Sequence, residues 1–274
     1  MTVALITGAT QGLGLALAEG LATRLGPDDT VYLTGRDLDR VTTAVASLPA
    51  GGARVRAELL DVGTPDAASK LAEQLEERHG GVDIVFGNAV MRVGPDDDPR
   101  AIVDTYTEVN NFGTTRLLRA FAPLLRDNGR LLIVASSLGT LHYLAPVLHR
   151  HFANLTDLDD VDRAVAAWRD LVKDGTIRAT AWPGFVNIPS KIAQVAAVRT
   201  LAAQRRTEDV ARGILLAAVC PGMINTPTSA LWWDVSTAPT PAEAAVPLLD
   251  LALQPADPAH YGQLLRHGKV LPWA

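Results

Sequence analysis

Three glycines, Gly8, Gly12 and Gly14, punctuate "TGATQGLG" directly after a short apolar run. Glycine admits positive φ and lets backbone amides approach a diphosphate at a helix N-terminus, where the dipole favours negative charge. The turn residues Gly8, Thr10, Gln11, Gly12, Leu13 and Gly14 are therefore expected to cradle the phosphates of a dinucleotide, although their glycine spacing departs from the commoner first, third and sixth places. At the end of the next apolar run stands "TGRD", with Arg36 where an acidic residue would face the ribose hydroxyls of NAD(H). A guanidinium there pairs with a 2′-phosphate and stacks on adenine, which favours NADP(H); the alternative is a surface arginine ahead of a helix capped by Asp37. Farther along, "WPGFVNIPSK" sets Lys191 four residues after Asn187, at the head of a long helical pattern.

Elements that position these residues follow a simple rhythm. The runs "TVALIT", "TVYLTG", "RVRAELLD", "VDIVFGNA", "RLLIVASS", "GILLAAVCPG" and "YGQLLRHG" are strand candidates, and they alternate with helical patterns such as "LDRVTTAVASL", "AASKLAEQLEERHG" and "TTRLLRAFAPLL". Strand and helix in alternation predict an α/β protein with a doubly wound parallel sheet of about seven strands, one domain over residues 1–274. One stretch breaks the rhythm. Residues 140–181 form a helical insertion in which "NLTDLDDVDRAVAAWRDLVKDG" reads as one or two amphipathic helices capped by Asn154, Thr156 or Asp157.

Composition narrows the partners. The net charge is -5, with no lysine or arginine stripe, so nucleic acid is not an expected partner and a small molecule is. Cys220 is the single cysteine, which rules out an intramolecular disulfide, and its apolar neighbours suggest packing rather than reaction. The N-terminus has neither a basic leader nor a span-length apolar run, so the expectation is a cytoplasmic protein without membrane attachment. His149 and His151 lack the accompanying carboxylates or cysteines of a metal site, and "PDDDP" reads as a loop and helix cap.

The motifs "TGATQGLG", "LLDV", "VNNFGT", "IVASS" and "CPGMINT", the insertion before "WP" and the terminal "YGQLLRHGKVLPW" together resemble the short-chain dehydrogenase/reductase family. The resemblance covers nearly the whole chain and is greatest to the monomeric carbonyl reductase branch. It implies that Asp61 and Val62 border the adenine, that Asn88 and Ala89 line the cofactor cleft, and that Pro221, Gly222, Ile224 and Thr226 hold the nicotinamide carboxamide. It further implies that Asn110 is the structural and catalytic asparagine, Ser137 the catalytic serine that binds the substrate oxygen, and Lys191 the lysine that holds the nicotinamide ribose. In that branch the insertion occupies the helical face through which other members dimerise, which implies a monomer. Two positions depart from the pattern: Val90 replaces a glycine beside the cleft, and Asn187 stands where the family has its proton-donating tyrosine.

An amide is not a useful acid near neutral pH. Reduction of an iminium or hemiaminal carbon needs no proton on oxygen, because the hydride cancels the positive charge, and that acceptor is the one expected first. A ketone or aldehyde would instead require another donor, for which His142 and Tyr143 stand close after Ser137. A third possibility is an NADP(H) sensor or scaffold that transfers no hydride. Phe185, Trp232 and Trp233 are candidate walls for a bulky, ring-containing substrate; adjacent tryptophans cannot share one face, so either one packs inward while the other faces the pocket, or both simply seat the loop on the domain.

Overall fold

Val3–Ile6 form the first strand, β1, whose four residues are all buried, as a central strand covered on both faces must be. The computed structural model describes residues 1–49 and 51–274. From β1 the chain alternates through α1 (Gly12–Arg24), β2 (Thr30–Gly35), α2 (Leu38–Ser47), β3 (Arg54–Leu59), α3 (Ala67–His79) and β4 (Val82–Gly87). It continues through α4 (Pro99–Thr107), α5 (Gly113–Phe121), β5 (Leu125–Val134), α6 (Leu158–Lys173), α7 (Asn187–Ala211), β6 (Leu215–Val219), α8 (Pro241–Leu253), β7 (Leu264–Arg266) and β8 (Lys269–Leu271). The strands form a single sheet in the order β3-β2-β1-β4-β5-β6-β7-β8, parallel from β3 to β7 and antiparallel at β8.

Strand order reverses between β1 and β4, which pair with Ile6 opposite Phe86. In sheets of this kind ligands bind outside the carboxyl ends of the strands at that reversal. The glycine turn leaves β1 there, and "GNAV" leaves β4 beside it.

The expected seven strands are eight. The chain turns back after β7 through His267 and Gly268, both at positive φ (48° and 70°), and pairs β8 with β7. Two central residues at positive φ give the tight hairpin turn whose twist suits antiparallel strands. Short, with Val270 exposed and a histidine at one positive-φ position, β8 carries none of the usual strand signals.

Of the three cap candidates in the insertion, Asp157 is the one used, accepting the Asp160 N–H at 2.8 Å. The α6 helix then lies across α4 and α5: Lys173 pairs with Asp104 at 2.5 Å, and Asp162 accepts from Thr115 at 2.8 Å and from Arg119 at 2.9 Å. Exposed ion pairs of this sort add little stability. The seat is apolar, with Trp168 buried against Trp182, and Phe152 meeting Trp182 edge-on. At the start of α4, Asp98 caps the helix and Pro99 occupies its first turn, as "PDDDP" suggested. Among the described residues no helix is long and apolar enough to cross a membrane.

Candidate active site

The glycine turn is built for close approach. Gly12 has φ 55°, and the place its side chain would occupy is open, with Arg92 Nη2 the nearest atom at 3.8 Å. A Cβ on Gly14 would meet the Gly8 carbonyl oxygen at 2.4 Å and Asn88 Nδ2 at 2.5 Å, so helix and turn touch backbone to backbone there. Asn88 fixes the turn by donating to the carbonyls of Thr7 (3.0 Å) and Gly8 (3.1 Å), while Thr7 Oγ1 accepts the N–H groups of Asn88 and Ala89. Gln11, at the N-cap of α1, makes no side-chain capping bond. Among the described residues no side chain hydrogen-bonds the donors of the first helical turn, and the residues present suit a dinucleotide diphosphate.

On the adenosine side, Arg36 is exposed at the end of β2, and Asp37 caps α2 by accepting the Arg40 N–H at 3.1 Å. Thr10, Arg40, Thr43 and Ser47 line a cavity of about 280 Å³. Arg40, which was not anticipated, lines this cavity, while the anticipated Arg36 stands exposed at the strand end and is not among its lining residues. Asp61 accepts from the Gly63 N–H at 3.0 Å and Val62 is buried against Gly113. Across the cleft Pro221 and Ile224 are buried, Gly222 has φ 82°, and Thr226 Oγ1 accepts the Ser229 N–H.

Asn110 sits in a widened helical turn, Glu108–Phe112, between α4 and α5; such single wide turns recur at functional sites. Its side chain is paired twice with the backbone of Met91, accepting the N–H at 2.7 Å and donating to the carbonyl at 3.0 Å. Its own carbonyl accepts from Gln194 Nε2 at 2.8 Å, and Gln194 Oε1 accepts from Lys191 Nζ at 2.7 Å. The Lys191 ammonium also donates to Val134 O, at the end of β5, at 3.2 Å. Burial lowers its pKa to about 8, against a smaller opposing pull from Cys220. A continuous path of bonds and backbone thus leads from the glycine turn through Asn88, Met91, Asn110 and Gln194 to Lys191.

Asn187 opens α7, four residues before Lys191, and its Oδ1 accepts from the Tyr106 hydroxyl at 2.5 Å. One turn on, Ser190 and Asn111 bond reciprocally, both at 2.9 Å. Ser137 lies three residues past β5 in a short turn whose Gly139 has no room for a Cβ, which would stand 3.0 Å from the Lys191 carbonyl oxygen. This close fit brings Ser137 to the flank of α7. Its neighbour Ser136 is taken up by capping Leu138 N–H at 3.2 Å.

Trp232 is half-buried and Trp233 exposed, with their ring centroids 6.1 Å apart. The Trp232 indole donates to Val93 O at 2.9 Å and leans on Phe185, with ring centroids 5.2 Å apart. The segment after β6 is therefore joined both to the segment after β4 and to the approach to α7, and Arg92 bonding to Thr228 adds a second link. Val90 is 43% exposed and points away from the core. His142 and Tyr143 are exposed and meet each other edge to face; among the described residues no hydrogen bond ties either to Ser137, Asn187 or Lys191.

Sequence reasoning missed Tyr106, Gln194, Arg92 and Arg40. Gln194 had a signal: a lone polar residue inside the apolar run "KIAQVAAV", three residues after Lys191. Tyr106 had none beyond lying four residues before Asn110.

Residues 2–147 match the family described as short chain dehydrogenase. Carbonyl reductase (NADPH) 1 of Mus musculus is 31% identical over 281 residues, covering 99% of this chain and 98% of the relative. The Homo sapiens protein of the same name is 29% identical over 283 residues, with coverage of 99% and 98%. Among solved structures, menthone neomenthol reductase from Mentha piperita superposes with a TM-score of 0.78 at 23% identity, covering 98% of this chain and 99% of that one. A short chain dehydrogenase from Burkholderia cenocepacia in complex with NADP gives 0.68 at 22% identity, with coverage of 97% and 95%. These two likenesses speak to the fold.

Proposed function

We propose that this chain, which belongs to the short-chain dehydrogenase/reductase family, reduces the carbonyl carbon of a bulky ketone or aldehyde. It is an NADP-dependent oxidoreductase. The observation that carries the finer reading is the bonded path from the glycine turn to Lys191, which sets the ammonium group, the Ser137 turn and Asn187 on one helix end beside the cofactor cleft. NADPH supplies a hydride when bound. Gly8 to Gly14 hold its diphosphate, Arg36 and Arg40 flank its adenosine end, and Lys191 stands where the nicotinamide ribose belongs.

The side chains around the reacting oxygen are donors: the Ser137 hydroxyl, the Asn187 amide and the Lys191 ammonium. Among the described residues no Asp or Glu bonds to any of the three. Donors favour an oxygen that gains negative charge, whereas an iminium would call for an anion beside it. The iminium or hemiaminal carbon expected from the sequence finds no such support, and the relatives in hand are carbonyl reductases. Phe185 and Trp232 supply an apolar wall for a ring-bearing substrate. The same reading takes the chain as a monomer, since α6 lies over the α4 and α5 surface.

Loss of NADPH absorbance tests the proposal, with aromatic ketones, aldehydes, imines and hemiaminals supplied in turn. Oxidation with ketones or aldehydes is expected. Turnover confined to imines, or none at all beside tight NADPH binding, would overturn it, the second outcome in favour of a sensor.

A further inference from the structure

Tyr106 is fully buried, and its hydroxyl meets Asn187 Oδ1 at 2.5 Å from a position 81 residues earlier in the chain. The other polar side chains at this phenol, Ser190 and Asn110, are engaged elsewhere: Ser190 Oγ donates to Asn111, and Asn110 is paired through both amide atoms with Met91. Burial pushes the Tyr106 pKa up to about 12, with Ser190 and Asn110 pulling weakly the other way, so the phenol keeps its proton across the working pH range. A buried O–H needs an acceptor, and an amide offers only its oxygen. The hydrogen bond that the Tyr106 hydroxyl donates in this geometry is the one to Oδ1, which gives the Asn187 amide its sense. Among the described residues its Nδ2 makes no hydrogen bond, and the atom is not fully enclosed in this half-buried residue.

We propose that Tyr106 is a positioning residue that locks the Asn187 amide with its NH₂ facing the cleft, so that Asn187 acts as a hydrogen-bond donor to the substrate oxygen where a phenol would act as an acid. This rests on the carbonyl-reductase reading above. Hydride adds to the carbonyl carbon, the C=O π pair moves onto oxygen, and Asn187 stabilises the resulting alkoxide without giving up a proton; solvent water then protonates the alkoxide to the alcohol. With its amide reversed Asn187 would present oxygen to oxygen. A preorganised donor of this kind is worth roughly 10²- to 10³-fold in kcat.

A double-mutant cycle separates this from a merely structural role. Tyr106→Phe should lower kcat for an aromatic aldehyde such as 4-nitrobenzaldehyde by roughly tenfold, leaving the NADPH Kd within about twofold. In the Asn187→Ala background, itself down by roughly 10²-fold, the same change should alter kcat by less than about twofold. Equal losses in both backgrounds, or no loss in the wild-type background, would overturn the proposal. Orientation is also read without turnover, so it stays testable if the chain reduces no carbonyl. In the ¹⁵N-labelled protein the Asn187 side-chain NH₂ resonance, assigned by its absence in Asn187→Asp, should shift and broaden in Tyr106→Phe; an unmoved resonance would refute the lock.

Discussion

Lys191 offers a prediction whose size comes directly from its surroundings. Burial lowers its pKa from the ordinary 10.5 to about 8, so the folded chain binds the proton less readily than the unfolded chain. Between pH 8 and 10.5 the unfolded state therefore holds more protons, and stability must rise with pH across that window; below it both states are protonated and the full penalty remains. The difference corresponds to about 3 kcal/mol, from roughly 1.4 kcal/mol for each tenfold change in proton affinity. Other groups titrate in the same range, so the quantity to follow is wild type minus Lys191→Met, from urea unfolding at steps of pH. That difference should move by about 3 kcal/mol in favour of the wild type as pH rises from 8 to 10.5. A difference that stays flat, or falls, would refute the view that the ammonium is held under protein at a cost.

Two further outcomes concern the cofactor and the missing phenol. Arg36→Ala should raise the NADPH Kd by roughly 10- to 100-fold, the worth of a charge-assisted bond to phosphate, while leaving the NADH Kd nearly unchanged, as measured by fluorescence titration. Asn187→Tyr should raise kcat with an aldehyde by up to roughly 10²-fold if carbonyl chemistry is limited by proton transfer; no gain with carbonyls, beside good turnover of an imine, would return the site to iminium reduction.

What the sequence disclosed of this protein was whatever depends on local spacing. The glycine turn, the parallel strands and the head of α7 are written in residues within a few positions of each other, and they stand where the pattern put them. Long-range partnerships were invisible. Tyr106 reaches Asn187 across 81 positions, and Gln194 reaches Asn110 across 84, so no window on the chain contains either pair. The widened turn at Glu108–Phe112 has no sequence signature either, although it is what allows Asn110 to face Met91 on one side and Gln194 on the other. The eighth strand failed to register for a different reason. It is a three-residue edge whose partner, not its own composition, holds it extended. At Asn187 identity alone suggested a substrate that needs nothing on oxygen, and the bond to Tyr106, out of reach of any local pattern, is what the proposed carbonyl chemistry draws on.

Transfer of deuterium from NADPH carrying deuterium at both nicotinamide C4 positions tests the central claim most directly. With an aromatic aldehyde as acceptor, mass spectrometry of the alcohol should find the deuterium on the carbinol carbon, at a rate that collapses in Lys191→Ala. Unlabelled alcohol, or no alcohol at all while NADPH binds tightly, would contradict the account.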